Sequence, residues 1–138
     1  MSFQGRDLLA LSYVAPSAVA QFRCVDFTGA QITTAGAKIG GVAKRPAAIG
    51  ELFEAAVIGT TPIESGGAFS AGQALTTDAS GRVVIAGPLS VAAGGTAVTS
   101  SAASGAILTG GDVPQFIVGH ALQASTAAGQ FPEVLLAR

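Results

Sequence analysis

Past its first 28 residues, this chain is interrupted by glycine too often for long helices to fit. Nineteen glycines occur in 138 residues. Each tolerates the positive φ of a tight turn, and each loses more backbone freedom on ordering than any other residue. Turn signals recurring every ~8–12 residues, with short apolar or alternating runs between them, are the mark of a β-barrel or β-sandwich. The expected fold class is therefore all-β: a small Gly-rich β-barrel or barrel-like sandwich with short strands and an N-terminal arm. A barrel also removes the open edges that a sheet poor in charge would otherwise expose.

One piece of this pattern occurs twice. Gly41-Val42-Ala43 leads through Ala47, Ala48 and Gly50 into Leu52-Phe53-Glu54-Ala55-Ala56-Val57. Gly119-His120-Ala121 leads through Ala127, Ala128 and Gly129 into Phe131-Pro132-Glu133-Val134-Leu135-Leu136. The outer glycines stand 9 residues apart in the first copy and 10 in the second. The common order of strand, small-residue turn and Glu-bearing strand points to a β unit assembled from similar hairpin-like pieces.

Strands are expected at 19–28, 31–34, 39–43, 50–59, 73–77, 82–86, 116–122 and 131–137. In the first, Phe22 and Cys24 share one face, with Arg23 and Val25 on the other. In 50–59, alternation puts Phe53 and Val57 together on a core face and Leu52, Glu54, Ala56 and Ile58 on the opposite one. Glu54 then needs water or a partner charge, because burying a bare carboxylate is costly. Asp78-Ala79-Ser80-Gly81 is a strong turn, Asp suiting its first position and Gly its last, so 73–86 reads as a hairpin. Glycines and Pro88 cut 87–112 into pieces at 89–92, 96–100 and 106–109, a Ser/Ala/Gly-rich loop or insertion. Residues 19–138 are expected to form one domain and 1–18 an arm or edge element. Leu8, Leu9 and Leu11 in that arm need another surface, since burying each fully is worth about 1.5–3 kcal/mol.

Charge narrows the function. Only 11% of residues are charged, against roughly 25% in typical soluble domains. Seven Lys/Arg and eight Asp/Glu leave a net charge of -1. Nucleic-acid binding needs clustered Lys and Arg, and an anionic membrane needs a basic segment; neither is present. Such a chain suits a subunit that buries much of its surface in an assembly. No targeting segment or long apolar span is evident, so synthesis in the cytoplasm without export is expected.

Chemistry has little to work with. One histidine, His120, and one cysteine, Cys24, exclude a paired-histidine zinc site, a CxxC motif and an internal disulfide within one chain. Cys24 reads as a small buried hydrophobe and His120 as a strand residue satisfied by backbone. Glu51 and Glu54 fall on opposite faces of a strand, wrong for a shared ion. No G-x-S-x-G elbow or phosphate-binding loop occurs. Phe22, Phe27, Phe53, Phe69, Phe116 and Phe131 are separated in sequence and expected in the core. No catalytic, metal or cofactor residue is assigned, and no enzyme activity is expected. The basic pair Lys44-Arg45 sits in a loop, solvated or touching a partner. Leu8, Leu9, Leu11, Lys44 and Arg45 are the candidate contacts to other subunits.

Several segments together resemble a family of small tailed-phage virion proteins described as capsid decoration, cement or head-fibre proteins. The resemblance runs through Gly40-Gly41-Val42-Ala43 and Gly50-Glu51-Leu52-Phe53-Glu54-Ala55-Ala56-Val57-Ile58-Gly59. It continues in Gly72-Gln73-Ala74-Leu75-Thr76-Thr77, the turn at 78–81 and Arg82-Val83. It ends in Ile117-Val118-Gly119-His120-Ala121-Leu122-Gln123-Ala124, Ala127-Ala128-Gly129 and Val134-Leu135-Leu136. It covers roughly 20–86 and 113–138. It implies a β-barrel-like subunit, commonly a homotrimer, on the outside of an icosahedral head, binding the major capsid protein and clamping neighbouring capsid subunits. Some relatives carry a phage-recombinase label, for which this chain offers neither an ATP-binding loop nor a basic surface. The arm and the 87–112 region depart from the shortest relatives. A small adhesive or carbohydrate-binding module of a virion fibre is the alternative. It calls for exposed Trp or Tyr, and the chain has no Trp and only Tyr13.

Overall fold

The architecture is organised around Leu52–Pro62 (β4), which begins in the first copy of the repeated segment and pairs with three other strands. In the computed structural model, residues 5–88, 99–100, 108–109 and 115–137 are described. The other strands among them are Asp7–Val14 (β1), Cys24–Val25 (β2), Gly41–Ala43 (β3), Ala74–Thr77 (β5), Val83–Ile85 (β6), Thr99–Ser100 (β7), Leu108–Thr109 (β8), Gly119–Ala121 (β9) and Glu133–Leu136 (β10). No helix occurs among the described residues. Eight strands form one curled antiparallel sheet in the order β2-β3-β4-β10-β9-β5-β6, with β1 added to β4, and β7 pairs with β8 separately. The fold is all-β and barrel-like, as the glycine punctuation predicts.

The curl is visible in β4 itself. Phe53 and Ala55 are buried with Ala15, Val19, Val25, Ala43 and Ala47. Ala56, on the other face, is buried with Val42, Ile63, Leu75, Val134 and their neighbours. A strand that buries consecutive residues has a core on each side, because successive side chains point to opposite faces. Val57 is only half-buried, so Phe53 packs among the small residues of the first core rather than with Val57.

The two copies of the repeat are two strand pairs of this sheet. β3 pairs with β4 through Val42↔Ala56 and Ala43↔Ala55. β9 pairs with β10 through Val134↔Ala121, Leu135↔His120 and Leu136↔Gly119. β4 and β10 then pair with each other from Glu133↔Pro62 to Leu135↔Thr60, so the copies are neighbours. Gly119 is needed at its crossing because a Cβ there would run into the Leu135 carbonyl oxygen.

The hairpin at 73–86 forms as expected, with Leu75↔Ile85, Thr76↔Val84 and Thr77↔Val83. Its turn is held by Asp78, whose Oδ1 accepts from Ser80 N at 2.8 Å and Arg82 N at 2.9 Å. Other expectations need correction. The run 19–28 is not one strand: the chain turns at Phe22, which takes φ 58°. That turn lets Phe22 N donate to Ala43 O and Phe22 O accept from Glu64 N. It also sends Arg23 to the Glu64 carboxylate at 2.6 and 2.9 Å. Cys24 and Val25 are consequently both buried, whereas Ala20 is exposed. The strand expected at 50–59 starts two residues later and runs on to Pro62. The strand expected at 116–122 shrinks to β9. The strand expected at 89–92 lies outside the described residues; β7 and β8 are the last residues of those expected at 96–100 and 106–109.

Candidate interaction surface

Five candidate contact residues were singled out by sequence, and the fold gathers them around β1 and β4. β1 lies antiparallel to β4 along its length, from Asp7↔Gly59 to Val14↔Leu52. The register slips between Asp7 and Ala10, opposite Gly59, whose φ of +116° and contact with the Arg6 carbonyl oxygen exclude a side chain. Tyr13 anchors the strand by stacking on Phe53, ring centroids 5.9 Å apart. Residues 7–14 of the expected arm thus form a complete edge strand.

Leu8, at 83% exposure, Leu9 and Leu11 stand out on this ribbon, together with Val14, Leu52 and Ile58. Sequence reasoning missed the last three. The Leu52/Glu54/Ile58 face was legible from alternation, but its solvent exposure depends on β1 as neighbour, which no local pattern specifies.

Lys44 and Arg45 sit at the end of β3 and are occupied within the chain. Lys44 donates to both oxygens of Asp7 at 2.9 Å, tying the loop to the start of β1. This bond, with the ammonium charge, holds the Asp7 carboxyl below the usual carboxylate range despite some desolvation. Arg45 Nε meets Glu54 at 3.0 Å, and its guanidinium also donates to Leu52 O. The bond from Arg45 likewise lowers Glu54. Glu54 therefore has the partner charge that its position required.

A second apolar surface surrounds Phe27, Phe116 and Ile117, where Lys38, Ile39 and Ala137 complete a depression of about 400 Å³. The Lys38 ammonium lies 5.8 Å from the Phe27 ring centre. Phe27 is carried by a turn in which Asp26 Oδ1 accepts from Thr28 N, Thr28 Oγ1 and Ala30 N at 2.8, 2.7 and 3.1 Å. Desolvation pushes the Asp26 carboxyl up, but these bonds outweigh it and leave it below its ordinary value. The expectation that all six phenylalanines are core fails here. Phe27, Phe116 and Phe131 are exposed because they lie in turns and connections rather than on inward strand positions. Phe53 and Phe69 are buried.

The single cysteine and the single histidine do not meet. Cys24 is buried in the larger core, while the exposed His120 lies on β9, with β3, β4 and β10 between them in sheet order. Among the described residues no group of three His, Cys, Asp or Glu side chains converges. Glu133, the counterpart of Glu54 in the repeat, is 1% exposed, and its carboxylate oxygens lack hydrogen-bond partners among the described residues. No helix among the described residues is long and apolar enough to cross a membrane.

Comparison with known proteins adds two findings. A protein-family model described as phage cement protein matches residues 4–137. The crystal structure of the head fiber gp8.5 N base in bacteriophage phi29 superposes with a TM-score of 0.62. The two share 15% identity over 94% of this chain and 93% of that one, a likeness of fold. No curated protein sequence matches the chain.

Proposed function

Because this chain belongs to the phage cement protein family, we propose that it sits on the outer surface of a phage capsid and stabilises contacts between neighbouring major capsid subunits. The observation that carries this reading is the exposed apolar ribbon of β1 and β4, bearing Leu8, Leu9, Leu11, Val14, Leu52 and Ile58. Leu11 lies on the Phe53 side of the ribbon and Val14 and Leu52 on the other, and exposed apolar side chains concentrated on one ribbon mark a protein contact. Each of these side chains contributes at most about 1.5–3 kcal/mol when a partner covers it. The protein is a homo-oligomer, a trimer in the form that the family resemblance implies, made in the host cytoplasm and incorporated into the virion. It performs no reaction.

The adhesive-module alternative loses its main support, since Tyr13 is half-buried against Phe53 rather than offered to a sugar. The test is to prepare heads lacking the protein and add it back. The midpoint of thermally induced genome release, read with a DNA dye, rises with added protein until the sites fill. An unchanged midpoint with no co-sedimentation refutes the reading.

A further inference from the structure

Among the described residues, β1 is an edge strand paired on one side only. Its ladder to β4 uses Leu11 and Tyr13, opposite Ala55 and Phe53, and is continued by Ala15, which donates to Glu51 O and accepts from Gly50 N. Backbone groups alternate in direction along a strand. Those of Ala10, Ser12 and Val14 therefore point away from β4, and among the described residues no backbone group bonds to them.

Natural edge strands are usually protected by Lys, Pro, bulges or a covering element. From Ala10 to Val14, β1 has none of the first two, and its register is regular. Its one charge, Asp7, lies at the far end and is neutralised by Lys44. The other ends of the main sheet are covered. β6 is bonded at Val83 by Glu64 O and Gly66 N, and β2 at Cys24 by Gly81 O and Ile32 N. No second open edge of matching length exists in that sheet among the described residues, so a head-to-tail contact has no acceptor there.

The edge is complementary to itself. In an antiparallel pair centred on Ser12, Ser12 faces Ser12 of a second copy, and Ala10 and Val14 face each other. Every outward N–H and C=O of these residues then finds a mate. Leu11 falls opposite Tyr13 of the second copy, a favourable aliphatic–aromatic cross-strand pair. We propose that β1 pairs with β1 of a second copy about a twofold axis through Ser12. The proposal rests on reading the chain as a self-associating virion subunit and supplies the segment, register and symmetry of one contact. Where copies also meet about a threefold axis through another surface, β1 pairs join trimers to each other.

Ser12→Pro tests this directly, because it removes a donor that faces away from β4, a position where an edge strand accepts proline. Light scattering at high protein concentration is expected to show the wild-type mass halved in the variant, with circular dichroism unchanged and melting equal to wild type at dilutions where the pair is dissociated. Ser12→Cys provides an independent reading: a hydrogen-bonded antiparallel pair sets Cα atoms about 5.5 Å apart, inside the disulfide range of about 4.4–6.8 Å. Mild oxidation then gives a covalent dimer, with the buried Cys24 not contributing. Ser12→Lys and Ser12→Glu each abolish pairing, and their mixture restores it. Equal masses for wild type and Ser12→Pro, with Ser12→Cys remaining uncrosslinked, overturn the proposal; if Ser12→Pro does not fold, the cysteine and charge-pair results decide. Co-sedimentation with heads, run in parallel, separates the two readings. Binding without crosslinking overturns the pairing alone, and crosslinking without binding overturns the capsid reading alone.

Discussion

Phe53→Ala is expected to cost about 3–5 kcal/mol, the range for an aromatic deleted from a core. The surroundings place it toward the upper end. Phe53 has no exposed surface, and four of its cluster neighbours, Ala15, Ala43, Ala47 and Ala55, carry only methyl side chains. A methyl group cannot swing into the space a ring leaves, so most of the cavity persists. The stack with Tyr13 is also lost, and such pairs contribute about 0.5–1.5 kcal/mol beyond area burial. The damage reaches the proposed contact surface, because Tyr13 is the anchor of β1. Urea denaturation measures it: with m near 2 kcal/mol/M, the midpoint falls by about 1.5–2.5 M. Phe53→Leu, which refills part of the space, falls between wild type and Ala. Phe27→Ala, at an exposed position, stays within about 0.5 kcal/mol. A loss below about 1 kcal/mol for Phe53→Ala would refute the two-core packing of β4.

Lys44→Met removes the partner that depresses Asp7. A carboxyl with a lowered folded pKa stabilises above its ordinary value of 3.8 and loses that contribution as pH falls through the depressed folded value. The wild-type advantage over Lys44→Met in a pH series of thermal melts should therefore be present near neutrality, shrink below pH 3.8 and fade at high salt; a pH-independent difference contradicts the ion pair. Gly59→Ala combines a φ of +116° with a clash at the Arg6 carbonyl oxygen; a left-handed conformation alone costs about 1–3 kcal/mol. Hydrogen exchange should show β1 amides losing protection before those of β5 and β9, and unchanged protection of β1 would rule the strain out. Glu133→Met deletes two buried oxygens without partners among the described residues, each group of this kind costing about 1–3 kcal/mol; denaturation is expected to show a gain in stability, and a loss would mean that the carboxylate has a partner.

The class of fold and the best hairpin were legible because their signals are local. Asp78 and Gly81 impose a turn whatever surrounds them, and alternation in 52–58 assigns Phe53 inward wherever the strand packs. The repeat at 41–57 and 119–136 was legible as two hairpin-like pieces, but not that β4 and β10 would lie side by side. Phe22 defeated periodicity. Its turn is fixed by Ala43, Glu64 and the Arg23 ion pair, all distant in sequence. Leu8, Leu9 and Leu11 were recognised as needing a surface, yet the order of the ladder, and hence which groups of β1 remain open, follows from pairing with residues 38 to 52 positions away. Lys44 and Arg45 were visible as a basic pair; that Asp7 and Glu54 occupy them was not.

The central claim is a place on the outside of the head, bridging neighbouring capsid subunits. Cryo-electron microscopy of heads assembled with and without the protein tests it most directly. The account predicts extra, symmetrically arranged density on the exterior, into which this all-β subunit fits, touching at least two major capsid subunits. Identical exteriors in the two reconstructions, or density confined to the interior, would contradict it.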